Sequence, residues 1–204
     1  MSAVLEVAPA VEPVISPNGY MRHHLFTVAE YDAMIAQGVF DENDRVELLN
    51  GRILEGMPKG PKHSATTSRI ARLFFRTLGD EAIIRLQDPI RLDDNSEPEP
   101  DLIVAQLVAD EYDSRHPRPE DILLVAEISD TTLSYDRNEK ARAYARAGLR
   151  QYLVLNLTNR TIEDYREPAP DGYQFKQTHR AGASFSLIAF PSVVLEVNAL
   201  LPAE

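Results

Sequence analysis

Residues 122–157, ILLVAEISDTTLSYDRNEKARAYARAGLRQYLVLNL, decide the fold. Ile122 to Ile128 is apolar apart from Glu127, as in a strand buried on both faces. Tyr135 to Ala147 reads as a helix closed by Gly148, and Tyr152 to Leu157 is a second buried strand. Strand, helix and strand at this spacing form one crossover unit, which joins parallel strands through a right-handed connection. The reading is an α/β (mixed α+β) architecture, a mixed sheet flanked by helices.

Upstream, Thr27 and Glu30 form a capping box for a helix over Val28 to Gln37, stopped by Gly38. Arg45 to Glu55 reads as a hairpin turning on Asn50-Gly51, with Glu47 on the opposite side of its strand from Val46. Lys62 to Leu78 predicts a second helix, with Ile70, Leu73, Phe74 and Leu78 as its apolar stripe and Lys62, Arg69, Arg72 and Arg76 on a neighbouring face. Strands are expected at Ala82–Gln87, Ile90–Leu92, Asp101–Ala105, Thr161–Arg166, Tyr173–Thr178 and Phe185–Ala189, with a loop over Asp110–Asp121. The apolar run Pro191–Leu201 fits core or interface. Residues 1–22 lack a usable period and read as a tail, leaving one domain over 23–204.

The 204 residues carry a net charge of −11, unlike the basic surface of a generic polyanion binder. There are no cysteines, so any metal must sit on oxygen or imidazole, which favours magnesium, manganese or calcium. No stretch is apolar enough to span a bilayer, and the N-terminal stretch lacks the basic region of a secretory signal, so the expectation is a cytoplasmic protein without membrane contact. Glycine-rich phosphate loops, GxSxG and HExxH are missing from the sequence, which removes support for triphosphate hydrolysis, serine hydrolysis and zinc proteolysis.

The carboxylates carry the chemistry. Glu97-Pro-Glu-Pro-Asp101 ends on a strand, and Glu127 lies near the end of another. If the two strands are neighbours, Asp101 and Glu127 meet at one rim, where a divalent ion would neutralise them and engage a phosphate and a water. The alternative is that Asp101 caps a turn and Glu127 pairs with an arginine. Lys140, four residues after Asp136, either stabilises phosphorane charge or makes an ordinary Asp–Lys helix pair. Glu47 is a further ligand or the wet side of a hairpin, and His63 a phosphate contact or a surface residue. Arg137, Arg142, Arg146 and Arg150, with the basic face of the second helix, would lend the acidic site a basic lip.

These segments resemble the Uma family, a bacterial branch of the PD-(D/E)XK nuclease superfamily whose members are named as restriction endonucleases. The matching stretches are Thr27-Val-Ala-Glu-Tyr, Asp44-Arg-Val-Glu-Leu-Leu-Asn-Gly51, His63 with its helix, Gln87-Asp-Pro-Ile-Arg-Leu92, Glu97-Pro-Glu-Pro-Asp101 and Leu124-Val-Ala-Glu-Ile-Ser-Asp130. They continue through Tyr135-Asp-Arg, Lys140 and Tyr144-Ala-Arg-Ala-Gly148 to Gln151-Tyr-Leu-Val-Leu155, in order and over nearly the whole chain. The resemblance implies a restriction-endonuclease-like core with its site at one edge of the sheet. Pro100-Asp101 takes the PD position, Glu127 the (D/E) position and Glu47 the acidic position from the N-terminal part of the core. Ser129 stands where the lysine is due, and the resemblance transfers that role to Lys140 on the following helix.

The expected activity is Mg2+- or Mn2+-dependent hydrolysis of DNA phosphodiesters by a bacterial homodimer. Asp101, Glu127 and Glu47, helped by the Ile128 carbonyl, would hold the metal, and Lys140 would orient or help deprotonate the attacking water. His63, Arg69, Arg72, Arg76 and Arg142 are the expected phosphate contacts. Two other readings are a catalytically silent module of the same fold that binds nucleic acid or a protein partner, and a hydrolase of smaller phosphodiesters or nucleotides.

Overall fold

The computed structural model describes residues 23–41, 44–56 and 58–201, so the tail expected over residues 1–22 lies outside it. Six strands form the central sheet in the order β3 (Ile83–Arg85), β4 (Leu102–Ala105), β5 (Ile122–Ser129), β6 (Gln151–Asn156), β7 (Thr161–Ala169) and β8 (Gly172–Arg180). Only β5 and β6 pair in parallel, as the crossover between them requires, and every other pair is antiparallel. The burial of β4, β5 and β6 on both faces explains their unbroken apolar runs.

Helix α2 (Pro61–Leu78) covers one face, where Ile70, Phe74 and Leu78 pack on Leu102, Val104, Leu124, Ala126, Ile128, Leu153 and Leu155. The strand expected at Phe185–Ala189 shrinks to β9 (Ser184–Ser186), which pairs with β10 (Val194–Glu196) inside the run Pro191–Leu201, and with the short α5 (Val197–Leu200) they complete this core through Phe185, Leu187, Leu195 and Leu200. The opposite face packs Ile103, Val125, Tyr152, Val154 and Tyr165 against the crossover helix. That helix is composite: one turn of α3 (Leu133–Tyr135), a π-helical turn over Asp136–Lys140, and α4 (Ala141–Arg146).

At the N-terminal side, α1 (Val28–Ala36) is capped by Thr27 and Glu30 as expected. The hairpin of β1 (Val46–Leu49) and β2 (Arg52–Glu55) turns at Asn50 and Gly51, both at positive φ. A Cβ on Gly51 would stand 2.6 Å from the Leu25 Cβ and 3.1 Å from its Cα. Gly51→Ala should therefore lower stability by about 1–3 kcal/mol in urea denaturation, through both the φ of +72° and the collision. An unchanged midpoint would show that the turn tolerates a side chain.

The expected strand at Ile90–Leu92 does not form a regular ladder. Ile90 N–H reaches the Pro98 carbonyl at 3.0 Å and Leu92 N–H the Ser96 carbonyl at 3.0 Å. Pro98 and Pro100 have no N–H to return, so alternate ladder bonds are missing. The Glu97–Asp101 segment is instead gripped from both sides: Glu97 exchanges backbone bonds with Leu48 of β1, and the Pro100 carbonyl accepts from Gln87.

Candidate active site

The register of β4 against β5 pairs Leu102 with Ala126, and one step further sets Asp101 beside Glu127. The two carboxylates are tied to each other's backbone. Asp101 N–H points to Glu127 Oε2 at 3.4 Å, and Ile128 N–H donates to Asp101 Oδ2 at 2.9 Å. Both side chains are buried, with Glu127 only 4% exposed. The expected meeting of the two strand carboxylates at one rim is what the structure contains.

Lys140 is also buried, and its ammonium lies 2.8 Å from Glu127 Oε1 and 3.1 Å from Glu47 Oε2. Tyr144 OH donates to the same Glu127 oxygen at 2.8 Å. Glu47 is held in turn by the Glu99 N–H at 3.1 Å and the Tyr135 hydroxyl at 3.2 Å. The helix pair expected between Lys140 and Asp136 is replaced. Asp136 accepts from Ser129 Oγ and Thr132 Oγ1, each at 2.6 Å, and Lys140 turns to the sheet. The π turn between them carries an extra residue, so the pair leaves ideal i,i+4 geometry.

Asp101 collects a second group of donors. His63 Nε2 donates to Oδ2 at 3.0 Å, Lys59 Nζ to Oδ1 at 3.0 Å, and Gln87 Nε2 lies 3.4 Å from Oδ1. His63 thus sits in the site, against the Asp101 carboxylate, with Thr67 Oγ1 3.4 Å from its other nitrogen. Lys59, Gln87 and Tyr135 were not singled out from sequence. Lys59 lies in a loop without periodicity, whereas Gln87 belongs to a segment quoted above and carried no ionisable group to draw notice.

The electrostatics split the pair. Burial alone would raise the Asp101 carboxyl, but the His63 hydrogen bond and the charges of His63 and Lys59 outweigh it and hold it down to about 2. Burial pushes Glu127 up to about 8 against the pull of Lys140, with Asp101, Asp136 and Glu47 adding repulsion. Burial disfavours the Lys140 charge, yet Glu127, Glu47 and Asp136 together raise it well above the ordinary lysine value. The site holds more carboxylate than its two lysines neutralise.

Asp101, Glu127, Glu47, His63, Lys59 and Lys140 line one cavity of about 500 Å3. Among the described residues no three Asp, Glu or His side chains already converge to hold a metal. The donor chemistry nevertheless fits a hard divalent ion, since magnesium takes one or two carboxylates and keeps several waters. Lys59, whose side chain is 26% exposed, already places a cation on Asp101 Oδ1.

The arginines are elsewhere. Arg72, Arg76 and Arg142 are exposed and do not line this cavity, and Arg69 donates to the Leu201 carbonyl at 3.1 Å. Arg137 pairs with Glu163 and Arg146 with Asn50. The cations at the mouth are Arg45 and Lys59.

Glu97 stands just outside this group. Burial, with the Asp32 charge nearby, pushes its carboxyl up to about 7. A folded-state value above the unfolded one favours folding below about pH 4.5 and costs stability as pH rises through 7. Glu97→Gln should therefore raise stability at pH 8.5 by about 1–2 kcal/mol, with the gain gone at pH 4.5. Denaturation curves at the two pH values check it, and an equal shift at both would remove ionisation as the cause.

No curated protein matches the sequence. A solved structure described as "a putative nuclease belonging to DUF820", from Anabaena variabilis ATCC 29413, superposes with a TM-score of 0.65 at 17% identity, covering 86% of this chain and 97% of that one. At that identity the likeness establishes the fold. The family model described as "Putative restriction endonuclease" matches residues 28–198, from α1 to the final helix and through every residue of the carboxylate–lysine cluster. The chain belongs to this family of nucleases, Uma2.

Proposed function

We propose that the protein is a divalent-metal-dependent endonuclease that hydrolyses DNA phosphodiesters, using magnesium or manganese. The observation that carries this reading is the placement of the Lys140 ammonium on both Glu127 and Glu47, beside Asp101, in an open cavity. Asp101 and Glu127 would hold the ion, with the Ile128 carbonyl in support. A bound ion supplies charge neutralisation at the phosphoryl group and a more acidic water.

The chain's own groups do the rest. Lys140 has three N–H donors and spends two on carboxylates, leaving one for a water or a phosphate oxygen. Held between two carboxylates it keeps its proton, so it orients and stabilises charge and is not the base. Glu47 fixes Lys140, and His63 orients Asp101. Lys59, on a partly exposed side chain, is free to leave Asp101 for an incoming phosphate. Two chains with one site each would cut both strands in a single encounter, so a homodimer belongs to the proposal, with sedimentation velocity as its check.

Incubation with supercoiled plasmid and magnesium or manganese should yield nicked and linear products, and chelation by EDTA should stop the reaction. Absence of cutting with either metal, together with salt-sensitive DNA binding, would leave a silent binding module of the same fold.

A further inference from the structure

A second cavity, about 270 Å3, lies between α1 and the Glu97–Asp101 segment. Ile35, Ala36 and Pro89 give it apolar lining, and Asp32, Glu97 and Glu99 give it carboxyl groups. Glu97 is 5% exposed, and its carboxylate has no hydrogen bond or ion pair among the described residues. Arg91 lies 3.9 Å from Asp32 and acts on Glu97 only through its charge, without an ion pair. Tyr31 also lines the space, but its hydroxyl is committed to the Val46 carbonyl at 2.8 Å. With Glu97 ionised, the side chains lining the cavity accept hydrogen bonds and, His116 apart, offer none, which favours an occupant that brings N–H donors.

Position narrows the choice. Glu99 lines both this cavity and the one holding Asp101, Glu127 and Lys140. Glu97 and Glu99 each precede a proline, which keeps the segment from Glu97 to Asp101 extended. Glu97 to Asp101 then spans about 13 Å of chain, within reach of a nucleotide neighbouring the one at Asp101. The volume lies below the roughly 300–1,000 Å3 of drug-sized sites and suits one planar ring system.

We propose that this cavity receives one unpaired guanine of the bound strand, its N1–H and exocyclic amino group given to the Glu97 carboxylate and its ring laid on the Ile35–Pro89 lining. Guanine sets two donors side by side, matching the two oxygens of one carboxylate. Adenine and cytosine present an acceptor nitrogen beside their amino group, and thymine a single N–H between carbonyls. The inference deepens the nuclease reading and rests on it, and it gives the enzyme a preference for guanine beside the cut.

The test uses the full chain with calcium in place of magnesium and labelled nine-nucleotide thymine strands carrying a central guanine, inosine or adenine, followed by fluorescence anisotropy. The guanine strand should bind about tenfold tighter than all-thymine, and inosine, which lacks the amino group, should lose most of that gain. Glu97→Gln should lose the guanine preference and gain on adenine, because an amide offers one donor and one acceptor. Ala36→Trp, at an exposed position on the rim, should abolish the preference while all-thymine binding stays unchanged. Equal affinity for all strands, or a preference surviving in both variants, overturns the pocket and leaves the nuclease reading standing. Capture of a tetra-arginine peptide, lost in Glu97→Gln and without base preference, would hand the cavity to a cationic protein segment. Failure of every strand to bind removes the nuclease reading, and the pocket with it.

Discussion

Lys140→Met is expected to cost about 3–5 kcal/mol of stability and to abolish cleavage, because it strips the cation from buried Glu127 and half-buried Glu47. The loss should depend on pH. Without Lys140, Glu127 rises further above its unfolded value, and a raised carboxyl is tolerated when protonated and destabilising when ionised. The variant should therefore be closest to wild type near pH 5 and furthest from it near pH 9. Adding Glu127→Gln removes the orphaned charge, so the double variant should recover most of the stability and none of the activity. Urea denaturation at the two pH values decides the matter. A Lys140→Met protein as stable as wild type at pH 9 would mean that the ammonium does not hold the cluster together.

Asp101→Asn should lower the rate of plasmid cleavage by 10²–10³-fold or more while preserving the fold and DNA binding. The amide oxygen can still accept from Ile128 N–H, so β4 and β5 stay joined. What is lost is a charge held at about 2 by His63 and Lys59. A carboxyl whose folded value lies below its unfolded 3.8 stabilises above that value and gives the stability up as pH falls toward 2. Wild type should thus shed up to about 2 kcal/mol between pH 5 and pH 2 that Asp101→Asn never had. Cleavage surviving in Asp101→Asn would point to a contaminating nuclease, and a collapse of DNA binding would make Asp101 a contact rather than a metal ligand.

Much of this site was legible in the chain. A carboxylate inside an otherwise apolar run, as Glu127 is, has few reasons to be there without a cation, whereas its meeting with Asp101 depended on the two strands being neighbours, which no local pattern states. The Asn50-Gly51 turn set Glu47 on the opposite side of its strand from Val46 but left solvent and cleft equally open, and it was the family resemblance that put Glu47 in the site. The partner of Lys140 was not legible, because i,i+4 arithmetic assumes a regular helix and nothing in Asp136–Lys140 announces a π turn. Beyond that turn Lys140 reaches Glu127 and Glu47, while Ser129, at the position where the resemblance expects the lysine, bonds Asp136. Periodicity also gave α2 a basic face but not its surroundings. Arg69 is taken by a carbonyl 132 residues away, a contact that no local pattern encodes. Lys59 escaped notice for the opposite reason, since its loop has no period at all. The expected strand at Ile90–Leu92 failed on a detail that was visible, the missing N–H groups of Pro98 and Pro100.

Those two prolines have a further effect, felt in the unfolded chain. Each fixes one φ and restricts the residue before it, so the segment carrying Glu97, Glu99 and Asp101 has little freedom to surrender on folding. The same stiffness stops the backbone from bending to spread the three carboxylates apart. The repulsion between Glu97 and Glu99 is therefore retained in the folded protein as a standing demand for positive charge, ready to be relieved by whichever cation or hydrogen-bond donor arrives, with little reorganisation of the protein left to be done at that moment.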